Sequence, residues 1–288
     1  MVLGVAMAAS LYDPAFASLG RIFGKNARSP ITTLTLAGGF ASTVSWPATQ
    51  FLIGAAGWRG TYLVYAALLA VVAAPLQAFA LPRGRARHEA AAPATPEQKP
   101  GAVPPPHGVV FVLVAAGFAA YAFVPSALSA HLITMFEHFA LAPETVVAIG
   151  MLFGPAQVLA RVCELSFARQ VHPLWIARFA VGLLVAAFAL LALTPFAAPV
   201  AAAFAVMYGM ANGLMTIARG TVPLTLFGAA GYGRLVGRIG GPFLVVQSVA
   251  PVVLSYVAEH ASDAAGLAVT AAFAAAALVC FAMLRRPG

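Results

Sequence analysis

Nine apolar stretches long enough to cross a bilayer lie along this chain of 288 residues, and one hydrophilic segment divides them three against six. A spanning helix needs about 20 mostly apolar residues, and the stretches fall at approximately 1–21, 30–53, 60–81, 108–131, 144–166, 174–195, 198–219, 240–258 and 264–284. Hydrocarbon offers no water to backbone polar groups, so each stretch must satisfy its own hydrogen bonds as a helix. Hydrophobic residues make up 62% of the chain and charged residues 8%, against roughly 25% charge in a soluble domain. The fold class expected is an all-α polytopic membrane protein.

The net charge of +8 raises nucleic acid as a partner, but no basic tract or stacking-aromatic motif sits on a soluble domain, and that class is set aside. The basic residues follow the alternation of the spans instead. Arg21, Lys25 and Arg28 fall in the first break and Arg83, Arg85, Arg87 and Lys99 in the third. Arg161, Arg169 and Arg178 surround the fifth span, Arg219, Arg234 and Arg238 the seventh, and Arg285 and Arg286 follow the last. Fifteen of the sixteen basic residues thus share one face, with Arg59 alone on the other. Short loops rich in Lys and Arg stay in the cytoplasm. The linker and C-terminus are therefore expected to be cytoplasmic, with Glu137, Glu144, Glu259 and Asp263 at the outer ends.

Residues 82–107 are proline-rich, carry mixed charge and lack apolar periodicity, which predicts an exposed connector. It separates a partial N-terminal helical bundle, 1–81, from a six-helix bundle, 108–288. Prolines recur inside the spans at 14, 47, 75, 125, 155, 242 and 251. Each removes a backbone hydrogen bond and frees a carbonyl that needs another partner. With Gly38-Gly39 and Gly240-Gly241, which permit close helix approach, they favour helices that can rock. Cys163 and Cys280 lack metal-ligand or CxxC spacing and read as packing residues. No HExxH, paired acids in the spans or GxSxG elbow appears, so neither an enzyme nor a metal or other cofactor is expected.

The three-plus-six split, the basic central linker and the phase of the charges resemble the major facilitator superfamily, and Gly57-Trp58-Arg59 is similar to a GWR found between that family's fifth and sixth helices. A narrower likeness is to its monocarboxylate-porter and oxalate/formate branch. Phe23-Gly24-Lys25-Asn26-Ala27-Arg28, followed by Ala37-Gly38-Gly39, resembles that branch's aromatic-x-Lys-Arg loop and glycine-containing helix. Gln157-Val-Leu-Ala-Arg161 resembles a segment in which the branch sets an Asp four residues before a substrate-binding Arg; Gln157 replaces the Asp here. Ala168 stands where the second-half echo of the family's GxxxDRxGR loop would place an Asp. The resemblance implies a major-facilitator-like secondary transporter in a bacterial plasma membrane. It would carry a small organic anion, a carboxylate, by alternating access, with a coupled proton or counter-anion. The alternatives are an efflux carrier for hydrophobic or cationic compounds and an inactive, N-terminally truncated fragment.

On that likeness, spans one, four and seven line a central cavity. Counting about 1.5 Å per residue puts Tyr12, Tyr121 and Tyr208 near the bilayer centre. Asp13 is costly inside a span, roughly 2.5–3.5 kcal/mol on insertion scales, and should face a cavity or a partner. It is either a substrate or proton site or a structural bond beside Pro14. Arg161 is either a carboxylate clamp, a snorkelling interfacial residue or the i,i+3 partner of Glu164. Asn212 shares a helix face with Tyr208, and Thr216 and Arg219 continue that face. The expected substrate contacts are Tyr12, Asp13, Tyr121, Arg161, Tyr208 and Asn212. Gln157, Gln247 and Trp46 also lie near midplane, and His131 ends a cavity helix.

With nine spans the N-terminus must lie outside, although the first span begins at Met1 without a charged residue ahead of it. The family likeness matches the spans to helices four to twelve, which predicts three further spans and a GxxxDRxGR loop encoded in frame upstream of Met1. Translating that DNA tests the expectation; a stop codon immediately upstream of Met1 would contradict it.

Overall fold

The computed structural model describes residues 12–80, 108–138, 141–168 and 170–284, and every regular element among them is helical. In chain order these are α1 (Tyr12–Phe23), a 3-10 turn (Gly24–Asn26), α2 (Arg28–Leu68), a π turn (Leu69–Ala73), α3 (Ala74–Ala80), α4 (Val109–His138), α5 (Pro143–Gly150), α6 (Phe153–Phe167), α7 (Pro173–Leu193), α8 (Ala198–Phe227), α9 (Tyr232–His260) and α10 (Asp263–Met283). Seven helical segments among the described residues are long and apolar enough to cross a membrane: 51–79, 109–129, 144–167, 173–193, 198–227, 232–260 and 263–283. The protein is an all-α, multi-spanning membrane protein.

The segments depart from the nine expected spans for local reasons. The first is described only from Tyr12 onward. The second and third join in α2, whose backbone leaves helical geometry at Gly57 (φ 66°, ψ 176°), a conformation that a residue without Cβ adopts freely. The chain reverses there. Thr49 Oγ1 and Tyr65 Oη are 2.6 Å apart, whereas sixteen residues of straight helix would separate them by about 24 Å. The fifth span breaks between Gly150 and Phe153, just before Pro155, into α5 and α6. In contrast, α4, α8 and α9 run beyond their apolar stretches, α9 beginning with the turns that hold Arg234 and Arg238. The proposed connector 82–107, Arg169, Arg285 and Arg286 lie outside the described residues.

Two compact units are present, residues 40–102 and the remainder. The described part of the smaller unit, 40–80, is the hairpin turned at Gly57 together with the π turn and α3. It exposes many apolar side chains, Phe51, Leu63, Val71 and Phe79 among them, as expected of a surface turned to hydrocarbon. The larger unit contains 12–39 and 108–284. Within it α4 packs on α9 and α10, α8 on α6 and α7, and α10 on α7. Alanines line these contacts: Ala122 and Ala127 on α4, Ala177 and Ala180 on α7, Ala205 and Ala211 on α8, and Ala274 and Ala277 on α10 are buried. Small side chains bring backbones close, which is the main source of helix association in lipid. Phe118 meets Phe281 edge-on and Phe204 touches both Phe136 and Phe188, filling the space between the layers.

Polar groups freed inside the helices find partners. Pro251 leaves the Gln247 carbonyl without its helical donor, and Ser126 Oγ on α4 donates to it at 2.6 Å. His131 Nε2 sits 3.1 Å from the Pro251 carbonyl, so α4 and α9 are tied beside Pro125 of one and Pro251 of the other. Arg178 donates to the Phe281, Ala282 and Leu284 carbonyls at the end of α10, where a cation suits the helix dipole. Ser262 caps α10, accepting from Ala265 N at 3.0 Å.

The segment 12–39 is fixed to the later helices by α1 packing on α9 and by Arg28. Arg28 Nη2 donates to Glu164 Oε1 and to the Ala168 carbonyl, both at 3.1 Å. The Glu164 side chain is 1% exposed, so removing Arg28 strands a buried carboxylate. Arg28→Met is expected to cost on the order of 3 kcal/mol and to lower the thermal midpoint in detergent. Arg28→Met/Glu164→Gln should recover most of that loss; an unchanged midpoint in the single variant would show that the pair carries no load.

Candidate functional site

The candidate site forms where α6 crosses α8, and two glycines set the crossing. A Cβ on Gly209 would come within 2.8 Å of the Phe153 carbonyl, and one on Gly213 within 2.6 Å of the Gln157 carbonyl. The two backbones therefore touch at successive turns of α8, four residues apart on one face. One turn after Gln157, the contact carries Arg161 into the unit instead of outward.

Arg161 is 3% exposed. Its Nε donates to the Gly213 carbonyl at 3.5 Å, and Nη2 faces Gln157 Oε1 and Thr216 Oγ1, both at 3.4 Å. All three bonds are long for a charged donor. Nη1 is buried with no hydrogen-bond partner among the described residues. Arg161 therefore neither snorkels nor pairs with Glu164, two of the readings that the spacing allowed. Glu164 turns to Arg28. The Gly38-Gly39 pair closes the other side: Gly39 abuts Arg161 and Gly38 abuts the Tyr12 hydroxyl so closely that a Cβ on either would overlap them.

The second guanidinium lies on the same face of α8. Thr216 donates back to the Asn212 carbonyl at 2.8 Å, which leaves its oxygen free to accept from Arg161. Arg219, three residues further on, is ion-paired with Asp13 Oδ2, and its guanidinium lies over the Phe243 ring at 3.6 Å. Asp13 Oδ1 is buried without a hydrogen-bond partner among the described residues. Of the two readings of Asp13 from sequence, the bond to another helix is the one present in this state. Tyr232 Oη, 2.5 Å from the Gly220 carbonyl, and its ring against Gly20 hold α1 at this end of α9.

Tyr121 donates to Asn212 Oδ1 and lies within electrostatic reach of Tyr208, Arg161 and Arg219; Tyr12 is within reach of Arg161. Tyr208 is held by its ring, stacked on Phe204 and edge-on to Phe153, and Tyr12 is stacked on Phe16. All six expected contacts thus fall in the larger unit, along with Thr216 and Arg219. Gln157 joins them through Arg161. Among the described residues Gln247 is joined through its carbonyl to Ser126, and the Trp46 side chain lies outside the described residues. The sequence reading missed the partnerships Arg219–Asp13 and Arg28–Glu164, since opposite charges some 136 and 206 residues apart show no spacing signal. The α8 stripe was the one usable hint.

Chemically the cluster presents two guanidinium groups, one neutralised by a carboxylate and one without such a partner among the described residues, together with phenol and amide groups. The chain matches no family model and no curated protein.

The glycines make separable contributions. At Gly213 an added Cβ meets backbone, which cannot yield, so Gly213→Ala is expected to cost about 1–3 kcal/mol and to lower the melting midpoint. At Gly39 it meets the far end of a flexible side chain, so Gly39→Ala should cost less stability while displacing Arg161. Melting curves of the two variants test this order, and a larger loss in Gly39→Ala would reverse it.

Proposed function

We propose that this membrane protein is a secondary transporter for a small organic anion, a carboxylate, carried by alternating access on a major-facilitator-like scaffold. The observation carrying the proposal is the charge balance of the buried cluster. Asp13 offsets Arg219 and Glu164 offsets Arg28, whereas among the described residues Arg161 has three long bonds to neutral acceptors and no partner for Nη1. A guanidinium buried without a counter-ion is costly, and a carboxylate accepting from Nη1 and Nη2 would relieve that cost with the planar geometry that suits Arg. The engagement of Asp13 by Arg219 weighs against the cationic-efflux alternative, which needs an uncancelled acid. The motif likeness of Gln157 to Arg161 to the monocarboxylate-porter branch supports the same residue. Gln157 cannot carry a proton as the acid of that branch would, so electroneutral movement needs either a proton carried elsewhere or an exchanged anion. Together with the placement of the basic residues, these features fit a bacterial inner-membrane carrier whose linker and C-terminus are cytoplasmic.

Arg161→Gln and Arg161→Lys test the reading in purified, reconstituted protein. A hydrogen bond to a charged group contributes about 1.5–3 kcal/mol, so both variants should lose at least about tenfold in affinity for propionate while remaining folded by thermal melt. Full propionate binding by Arg161→Lys, or saturable binding of an organic cation in its place, would overturn the anion assignment.

A further inference from the structure

We propose that Asp13 determines the charge of the anion accepted: by holding Arg219 it leaves one free guanidinium, so the site favours monocarboxylates over dicarboxylates. This rests on the anion site proposed above and adds a residue that sets its selectivity.

Both guanidinium groups are delivered to one face of α8. Arg161 reaches that face at Thr216, 3.4 Å away, and Arg219 stands three residues beyond Thr216, a spacing that puts Cβ atoms about 5–6 Å apart. Two cations so placed would suit the two ends of a short dicarboxylate. One of the two positions is already taken by a carboxylate of the chain itself, because Asp13 Oδ2 is paired with Arg219. A tethered ligand competes at high effective concentration, so a second substrate carboxylate must displace it.

Two further features point to Asp13 as an occupant of Arg219 and not part of a wider network. Its other oxygen, Oδ1, is buried without a hydrogen-bond partner among the described residues, so the side chain is held through one atom. Arg219 is positioned independently by the Phe243 ring beneath it, which would keep the guanidinium in place when Asp13 is uncharged. A Cβ added at Gly240 on α9 would stand 3.6 Å from Asp13 Oδ2, so the carboxylate lies against α9 as well as against Arg219.

The test measures the ratio of malonate to propionate affinity in purified protein at neutral pH, where malonate is a dianion and propionate a monoanion. Asp13→Asn removes the charge at nearly constant shape and should raise that ratio at least about tenfold. Asp13→Asn/Arg219→Gln has the same net charge as the parent and should return the ratio to the parent value. Asp13→Ser gives the same comparison if Asp13→Asn does not fold. A ratio unchanged in Asp13→Asn, or one that stays raised in the double variant, would overturn the role of Asp13 while leaving the anion site intact. Failure of every protein, the parent included, to bind propionate would overturn the anion site and this inference with it.

Discussion

The ion pair between Arg219 and Asp13 does two things that cannot be separated. It balances a half-buried guanidinium on α8, and it holds α1 against the helices that follow the linker. Arg28 and Glu164 repeat the arrangement between the start of α2 and the end of α6. Charge neutrality and assembly of the larger unit are thus one interaction, because each pair joins a residue before the linker to one after it. Arg161 has no carboxylate partner among the described residues. Its position is set instead by backbone, through the close crossing of α6 and α8 at Gly209 and Gly213.

This division explains why the site is both rigid and incomplete. Glycine contacts let the α6 and α8 backbones touch at Gly209 and Gly213, and Thr216 and Asn212 are oriented by a back-bond and by Tyr121. Those neutral partners align the guanidinium without cancelling its charge. The larger unit also contains softer elements: the break before Pro155 and the prolines of α4 and α9, with the hydrogen bonds between those two helices. A carrier that closes around a bound ion needs this combination, a fixed binding group on helices that can bend.

Much of the fold was legible because apolar length and proline position act locally. The spans after the linker, the turn near Gly57 and the polar face of α8 follow from composition and helical period alone. Helix ends were less legible, since α9 continues through Arg234 and Arg238 once tertiary contacts support turns that are not apolar. Pairing was the least legible of all. Arg161 and Glu164 are three residues apart on one helix, and local spacing favours their pairing, yet the crossing with α8 turns one inward and the approach of α2 captures the other. Such choices depend on which helices meet, and no single segment encodes that.

The most direct measurement is an experimental structure determined with 3-bromopropionate, using the anomalous signal of bromine to locate the ligand. The account predicts a peak in the larger unit with the carboxylate within hydrogen-bond distance of Arg161 Nη1 and Nη2, and with Asp13 still on Arg219. A peak elsewhere in the protein, or Arg161 paired with a carboxylate of the chain itself, would contradict it.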